Sequence, residues 1–382
     1  MGEWKEYKYT DLCTLIGGGT PKTSEPMYWG GKIPWLSVKD FGNDEKYVYK
    51  TEKTITEAGL NNSSTKLLNK DDIIISARGT IGAIAMLASE MAFNQSCFGI
   101  RSNNLSDQHF LYYLTKTKIG ELRKSSHGSV FDTITRDTFE KIDCLIPPLQ
   151  TQQKIASILS SLDDKMEVNR RISENLEQQA QALFKSWFVD FEPFKNGEFV
   201  ESELGMIPKG WRVYRLSDFL PVITGKKDAN VAKGGKYPFF SCSQDILWTD
   251  NYSFDGNAIL VAGNGDFNVK TYSGKFEAYQ RTYVLIPYNP IYTAWLFYAV
   301  KFHLSMIISA ARGSVIKFIT KGNLADFKFS APSKMESETI IEKFDLINNK
   351  IAKLKEENDR LATLRDTLLP KLMSGELKVN EL

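Results

Sequence analysis

A glycine-rich loop near the start of the chain is the first segment whose residues could do chemistry. Its sequence, Gly17-Gly-Gly-Thr-Pro-Lys-Thr, combines a flexible backbone and free amides with the positive charge of Lys22. Such a loop can cradle phosphates, but it lacks the Gly-Lys-Ser/Thr ending of a nucleotide-binding P-loop. An ordinary surface turn is the alternative. From this loop we select Thr20, Lys22 and Thr23 as candidate contacts to a phosphate backbone.

Side chains that can read the edges of bases occur at matched places in the two halves of the chain. Arg78 lies between two glycine-bearing turns and could hold a guanine with two parallel hydrogen bonds, or else form an internal salt bridge. Asn94 and Gln95 in the first half correspond to Tyr279 and Gln280 in the second, and glutamine can pair with adenine or satisfy buried loop amides. The remaining candidates for nucleic-acid contact are Ser37, Lys39, Thr80, Lys226, Lys227, Ser243, Asn264, Lys270 and Arg281.

The chain lacks the motifs of the enzyme classes that act on nucleic acids. A methyltransferase that flips a base needs an Asn/Asp-Pro-Pro-aromatic tetrad, which neither Ile146-Pro-Pro-Leu nor Tyr288-Asn-Pro supplies. Four scattered cysteines and three histidines suggest neither a zinc site nor disulfide bonds. We therefore expect no catalysis, no metal and no cofactor bound by this chain.

The distribution of charge is more informative than the net charge of +2. Residues 205–333 carry 15 basic and 8 acidic side chains, whereas residues 1–147 carry 18 of each. The stretches 148–204 and 334–382 are slightly acidic. One strongly basic segment fits a polyanionic partner, although a solvated surface of lysines gives the same count.

The two halves of the 382-residue chain align with each other when the sequence is shifted by 185 residues. Near the start, Trp4-Lys-Glu-Tyr also matches Trp211-Arg-Val-Tyr at a larger offset, so the first half carries extra loop residues. This pattern indicates a tandem duplication. The matched positions are Gln95 with Gln280, Leu111-Tyr-Tyr with Leu296-Phe-Tyr, Gly128-Ser-Val with Gly313-Ser-Val, Ile134-Thr with Ile319-Thr, and Pro147 with Pro332.

Each half begins with strand-like runs, such as Asp71-Asp-Ile-Ile-Ile-Ser-Ala and Asn257-Ala-Ile-Leu-Val-Ala, and ends in a long helical pattern. The helices are predicted from about Thr151 to Trp187 and from about Met335 to Met373. Apolar residues recur within them every seven positions, which predicts a coiled-coil seam. The two seams are Ile155, Leu162, Asn169, Leu176, Leu183 and Ile340, Ile347, Leu354, Leu361, Leu368.

We expect the two seams to pack on each other as an antiparallel pair, with Asn169 and Asn358 fixing their register. Packing of each helix on its own globular part, or on another molecule, is the alternative. A helix of this length spans roughly 55 Å and could act as a ruler between two DNA-reading parts. The fold class is α+β, with two globular α/β domains, each followed by a long helix.

These motifs together resemble the specificity subunits of type I restriction-modification systems over essentially the whole chain. The strings that carry the resemblance are Gly17-Gly-Gly-Thr-Pro-Lys-Thr, Tyr28-Trp-Gly-Gly-Lys-Ile-Pro-Trp-Leu-Ser, Ile75-Ser-Ala-Arg-Gly-Thr-Ile-Gly, Phe93-Asn-Gln-Ser, Ile146-Pro-Pro-Leu-Gln-Thr-Gln-Gln-Lys-Ile, Leu183-Phe-Lys-Ser-Trp-Phe-Val-Asp-Phe-Glu-Pro-Phe and Leu369-Pro-Lys-Leu-Met-Ser-Gly-Glu-Leu. The second half departs from the pattern, with Lys226-Lys-Asp and Gly263-Asn-Gly at the expected loops, so base contacts do not transfer.

The resemblance implies a cytoplasmic protein that recognises an asymmetric, bipartite double-stranded DNA site. It implies two modification subunits on the central helices and restriction subunits in the full complex, with S-adenosylmethionine, Mg and ATP bound by those partners. It divides the chain into target-recognition domain 1 (residues 1–148), a central helix and linker (149–204), target-recognition domain 2 (205–333) and a C-terminal helix (334–382).

We interpret an aromatic run at the end of the first helix as a docking site for a modification subunit. Packing between helix and linker is the alternative for this run, which consists of Trp187, Phe188, Phe191 and Phe194. Two other functions remain open: a coiled-coil scaffold that does not bind DNA, and the specificity subunit of a restriction class with a fused partner. No apolar run approaches the length of a membrane helix, so we expect no membrane association.

Overall fold

The structure is a computed structural model that describes residues 3–42, 45–126, 133–309, 318–333 and 339–379. The repeated Gly128-Ser-Val and Gly313-Ser-Val strings and the expected helix start at Met335 lie outside these ranges. The chain forms two compact units. Unit 1 comprises Met1–Arg170 with Lys355–Leu382, and unit 2 comprises Arg171–Leu354.

Unit 1 contains two sheets and a two-stranded ribbon. The first sheet has five strands in the order β2-β10-β7-β8-β4, the second has four in the order β5-β3-β9-β6, and β1 pairs with β11. The strands are β1 (Lys5–Lys8), β2 (Cys13–Gly17), β3 (Trp29–Leu36), β4 (Tyr47–Val48), β5 (Lys53–Ile55), β6 (Leu67–Leu68), β7 (Ile73–Ser76), β8 (Ile84–Leu87), β9 (Met91–Phe93), β10 (Cys97–Ser102) and β11 (Asp143–Ile146).

Strand β7 shows why this part of the sequence forms a buried sheet. Its side chains alternate between the two faces of the sheet, as in any strand. Ile73 and Ile75 belong to the core on the helix side, whereas Ile74 packs with Phe93 of the second sheet. Both faces are therefore covered, which explains the continuous apolar run and confirms the strand predicted around Ile73.

The helices in the described residues of this half of the chain are α1 (Glu57–Asn61), α2 (Gln108–Ser126), α3 (Arg136–Glu140) and α4 (Leu149–Phe188). The first turns of α4 bury Ile155 and Leu159 in the helix-side core of unit 1. The helix α4 begins directly after Pro148 and runs for 40 residues, close to the predicted limits.

Unit 2 repeats this plan with different strand lengths. Its six-stranded sheet has the order β15-β20-β18-β19-β16-β17, the ribbon β14-β21 corresponds to β1-β11, and β12-β13 is a hairpin. The strands are β12 (Phe199–Ser202), β13 (Gly205–Pro208), β14 (Trp211–Arg215), β15 (Val222–Thr224), β16 (Tyr237–Phe240), β17 (Ile246–Thr249), β18 (Phe254–Ala262), β19 (Val269–Ala278), β20 (Thr282–Leu285) and β21 (Lys328–Pro332).

The register of the two ribbons supports the duplication read from the sequence. Lys5 lies opposite Ile146 in the first ribbon, and Arg212 lies opposite Ala331 in the second. These are the positions that the two sequence offsets equate. A second repeated contact is the backbone hydrogen bond from Ile134 N to the Ala77 oxygen (3.0 Å), matched by Ile319 N to the Gly263 oxygen (2.8 Å).

Strand β18 plays the part in unit 2 that β7 plays in unit 1. Ile259 and Val261 face a large aromatic core that includes Trp295, whereas Leu260 faces a smaller core on the other side of the sheet. Trp295, Phe297 and Tyr298 of helix α5 belong to this aromatic core. The helices of this half are α5 (Thr293–Phe302), α6 (Leu304–Ser309), α7 (Lys321–Ala325) and α8 (Thr339–Ser374).

Helices α4 and α8 pair within the chain and run antiparallel. In unit 1, the Asn169 amide donates to the Asn358 oxygen (2.9 Å) and the Arg365 guanidinium donates to Asp163 (2.8 Å), so the contacted residue number rises along one helix as it falls along the other. In unit 2, Phe184 of α4 packs on Phe344 of α8. The antiparallel packing expected from the heptads is thus confirmed, with a polar pair at Asn169 as predicted.

Every predicted seam position in α4 and α8 is buried or half-buried. Asn169 is fully buried, and Asn358 also donates to the backbone oxygen of Met166 (3.1 Å). A buried amide pair satisfies itself at one register only, because a shift of one turn would leave each amide against apolar side chains. The described helices include none with the length and apolar content needed to cross a bilayer.

Candidate nucleic-acid interface

In unit 1, the glycine-rich loop and the Asn94-Gln95 segment lie side by side at the end of strand β2. The backbone N of Gly19 donates to the Phe93 oxygen (3.0 Å), and the Thr20 hydroxyl hydrogen-bonds to the Gln95 side chain. A Cβ atom on Gly18 would lie 2.1 Å from the Asn94 oxygen, so only glycine allows this approach. The structure therefore brings together two segments that the sequence separates by about 75 residues.

The turn after β7 joins the same cluster. The Ala77 N donates to the Ser96 oxygen (2.8 Å), and Ser96 N donates to the Asn94 side chain (3.1 Å). Arg78 and Thr80 sit exposed on this turn. Within the described ranges Arg78 joins no ion pair, and its side chain is exposed. An exposed guanidinium can donate to an outside acceptor.

The remaining candidate residues of unit 1 differ in the exposure and in the hydrogen bonds of their side chains. Lys22, Thr23, Lys39 and Gln95 are exposed. The Ser37 hydroxyl donates to Asp40 (2.8 Å), where it caps a short helical turn, and the Asn94 side chain accepts from Ser96 N. Ser37 and Asn94 thus shape the loops, while the exposed side chains are the better placed to touch a ligand. Two tryptophans brace the loop from beneath, with Trp29 Nε1 on the Lys22 oxygen (3.2 Å) and Trp35 Nε1 on the Gly19 oxygen (3.1 Å).

Unit 2 builds the corresponding cluster from different residues. Gly225 occupies the place of Gly18, because a Cβ there would lie 2.1 Å from the Tyr279 oxygen. The backbone N of Lys226 donates to the Ala278 oxygen (3.1 Å), and Gln280 N donates to the Lys227 oxygen (2.9 Å). The same contact between two loops is thus present in both units, but the loop of unit 2 has two lysines where the loop of unit 1 has the Thr-Pro-Lys sequence.

The other candidates of unit 2 join this cluster through backbone contacts. Gly263 N donates to the Arg281 oxygen (2.8 Å), which places the turn that contains Asn264 beside Arg281. The Lys270 ammonium hydrogen-bonds to the Ser243 oxygen. Lys226, Lys227, Ser243, Gln280 and Arg281 are exposed, and Asn264, Lys270 and Tyr279 are half-buried.

The aromatic run at the end of α4 serves largely to hold unit 2 together. Phe188 is only 6% exposed and packs against Phe184, Trp211 and Trp295. The ring of Phe188 is used inside the unit, where it packs on a strand and on helices, so little of it is left for a partner. Phe191 and Phe194 are half-buried against Trp211, and Trp187 is half-buried against Phe194. Partner contact stays a prediction for this run.

The buried cysteines are expected to have unreactive thiols. Burial raises the pKa of the Cys13, Cys97 and Cys144 thiols to about 12, which leaves them protonated at neutral pH. The part of the chain that the structure describes contains no group of three or more His, Cys, Asp or Glu side chains able to hold a metal ion. Sequence reasoning selected the lysines of unit 2 but missed the exposed aromatic side chains between them, which only burial could reveal.

Comparison with known proteins gives consistent results along the chain. The family model described as type I restriction modification DNA specificity domain matches residues 1–178 and 208–363. The MjaIX specificity subunit of Methanocaldococcus jannaschii is 30% identical over 419 aligned residues, covering 100% of this chain and 95% of that protein. The EcoDI specificity subunit of Escherichia coli is 38% identical over 178 residues, 45% of this chain and 40% of that protein.

A solved structure shares the fold over nearly the full length. The crystal structure of a type I restriction-modification S subunit from M. genitalium superposes with a TM-score of 0.61 at 16% identity, covering 97% of this chain and 96% of that one. At this identity the likeness concerns the fold alone.

Proposed function

The chain belongs to the family of type I restriction-modification DNA specificity subunits, and we propose from this premise that it recognises an asymmetric, two-part DNA sequence. Each globular part reads one half of the site through the loop cluster described above. The halves of the site differ because the two clusters carry different side chains. The chain itself performs no catalysis and binds no cofactor.

The observation that carries this proposal is the pairing of one repeated loop contact with diverged side chains. Gly18 against Asn94 and Gly225 against Tyr279 are the same backbone approach in the two repeats. Around that shared frame, Lys22 and Arg78 stand in one unit and Lys226 and Arg281 in the other. A common frame with different exposed donors is what two readers of different sequences require, because base edges are distinguished by donor and acceptor pattern.

The partners follow from the same proposal. Two modification subunits bind around the paired helices α4 and α8 and supply the methyltransferase chemistry with S-adenosylmethionine. Restriction subunits that use ATP and Mg complete the complex. The specificity chain positions these partner subunits on the DNA site, and the partner subunits catalyse the reactions.

Mapping of methylated adenines tests the proposal directly. We expect a host that carries this chain and its modification subunit to methylate one asymmetric sequence with two defined halves and an unspecified spacer. Exchange of residues 205–333 for the matching segment of another specificity subunit should change one half of that sequence and leave the other intact. An unchanged methylation pattern after the exchange would contradict the assignment of one half-site to each part.

DNA binding by the purified complex separates this proposal from a coiled-coil scaffold. We expect the affinity for the mapped duplex to fall steeply as salt rises, since the exposed lysines and arginines displace counterions from phosphates. A scaffold that does not act on DNA would show no binding at any salt concentration.

A further inference from the structure

The edge of the six-stranded sheet in unit 2 carries a surface that the loop cluster does not use. We define the β17 surface as Ile246, Leu247 and Trp248 of strand β17, Tyr252 after it, and the surrounding Lys233, Lys236 and Lys275. Four of these residues are large and apolar, yet they are 37%, 38%, 49% and 43% exposed in that order. Ile246 and Trp248 share one face of β17, whereas Leu247 lies on the other face, where the Tyr252 ring packs on Tyr237. Exposed apolar side chains grouped at one sheet edge indicate a place where another molecule can bind.

The apolar and basic side chains of this surface are held together by specific contacts. Gly234 N donates to the backbone oxygen of Trp248 (3.1 Å), which fixes the loop bearing Lys233 and Lys236 beside strand β17. The Lys275 ammonium lies 4.6 Å from the centre of the Tyr252 ring. Exposed rings therefore lie on both faces of this sheet edge, and the Lys275 ammonium lies over one of them.

The β17 surface is continuous with the candidate interface of unit 2. The three residues before β17, from Ser243 to Asp245, form the loop to which Lys270 is bonded. In the same loop, Gln244 donates to Asp266 (2.9 Å), which links it to the turn that follows Asn264. A ligand lying on the loop cluster would therefore meet Ile246 and Trp248 next.

Charge selects the class of ligand. Residues 205–333 have seven more basic than acidic side chains, and three of the lysines stand on this surface. Asp245 and Asp250 also lie here, with the Asp245 carboxylate near the Ser243 hydroxyl (3.3 Å). A pairing strand from a protein is disfavoured because β17 is only four residues long and has a charged residue at each end, features by which sheet edges resist strand addition.

We propose that the β17 surface binds double-stranded DNA beside the half-site read by unit 2. Trp248 and Ile246, which alternate onto one face of the strand, pack against deoxyribose and base edges in a groove, and Lys233, Lys236 and Lys275 bind the flanking phosphates. Apolar wedges between phosphate-binding cations are a known means of gripping a groove. This inference rests on the proposed function and extends the contacts of the same recognition domain beyond its loops.

The test compares variants of the full chain, in complex with its modification subunit, on a duplex of about 40 base pairs that contains the mapped site, long enough for a bipartite target and its flanks. We expect Trp248→Ala to weaken binding by about tenfold, the loss typical of one aromatic contact to a base, with little change in salt dependence. The K233Q/K236Q/K275Q variant should lower the slope of log affinity against log salt by about two to three.

Matched controls keep the result specific. Tyr288→Ala removes a ring that is 71% exposed in the same unit but outside the β17 surface, and it should bind like the unmodified chain. K195Q/K209Q/K321Q removes the same charge elsewhere in unit 2 and should change the slope less. Unfolding temperatures within a few degrees of the unmodified chain show that each variant is folded.

Other outcomes overturn the inference in distinguishable ways. Variants that bind as tightly as the unmodified complex, with the same salt slope, would leave the proposed function standing and remove the β17 surface from it. Variants that keep DNA binding but lose the modification subunit would assign this surface to a protein partner. An unmodified complex that binds no DNA would refute the proposed function and this inference together.

Discussion

At the scale of single residues, unit 1 depends on a buried ionic network where α8 meets α4. Arg365 and Asp163 are 6% and 5% exposed, and the Tyr113 hydroxyl donates to the second oxygen of Asp163. Burial by itself lowers the pKa of Arg365, but hydrogen bonds to Asp366 and Asp163 outweigh it and raise the pKa. The guanidinium is therefore charged at every accessible pH and keeps Asp163 compensated.

Removal of one member of this network should destabilise unit 1. We expect Arg365→Met to lower its free energy of unfolding by about 3–5 kcal/mol, because a buried carboxylate loses its counter-charge. Urea denaturation followed by far-UV circular dichroism measures the loss. Arg360→Met, an exposed position on the same helix, is the control and should stay within about 0.5 kcal/mol. A double variant with Asp163→Asn should recover part of the loss, and equal effects of Arg365→Met and Arg360→Met would contradict the role of the network.

At the scale of elements, each loop cluster depends on two backbone segments that touch without a side chain between them. Gly18 and Gly225 are the contact points, and no side chain fits at either. A Cβ atom on the neighbouring Gly17 would meet no other atom within 4 Å, so adjacent glycines in one loop have opposite tolerances. The loop therefore has no room for a side chain at Gly18 but has room for one at Gly17.

This contrast predicts different effects for two adjacent substitutions. Gly18→Ala should cost about 1–3 kcal/mol of stability, because the Asn94 carbonyl must move to admit the methyl group, and it should weaken DNA binding through the displaced Gln95. Gly17→Ala should leave stability within about 0.5 kcal/mol. Thermal unfolding and binding to the mapped duplex measure both effects. Similar losses for the two variants would show that the approach of Gly18 to Asn94 does not shape the interface.

At the scale of the whole molecule, the long helices are shared between the two compact units. Residues Met1–Arg170 of unit 1 include the first part of α4, and Arg171–Leu354 of unit 2 include its remainder. Helix α8 is divided in the same way. On the proposed function, the length of this helical pair sets the number of base pairs between the two halves of the DNA site.

Shortening both helices should therefore shorten the spacer. Seven residues removed from each of α4 and α8, at the same level of the pair, shorten the helices by about 10.5 Å, equivalent to about three base pairs of DNA. Methylation mapping of a host with this variant measures the new spacer. Removal of seven residues from α4 alone is the control, and it should instead lower stability because the seam mispairs. A spacer unchanged after the double deletion would contradict the ruler.

The sequence alone determined the duplication, the strands around Ile73 and Ile259, and both long helices. The helices follow from an apolar period of seven, and the two strands from short continuous apolar runs, because both faces of β7 and of β18 are covered. The Asn169 pair was also predictable, because an amide on an apolar seam has few neighbours other than the opposite helix.

Only the tertiary structure decided whether each candidate side chain is exposed or buried. Phe188 and Trp248 are both aromatic residues in apolar surroundings of the sequence, yet one is closed inside unit 2 and the other is half exposed. The close approach of Gly18 to Asn94 likewise joins segments far apart in the chain. Burial and loop contact are sums over neighbours distant in sequence, and no local pattern contains those neighbours.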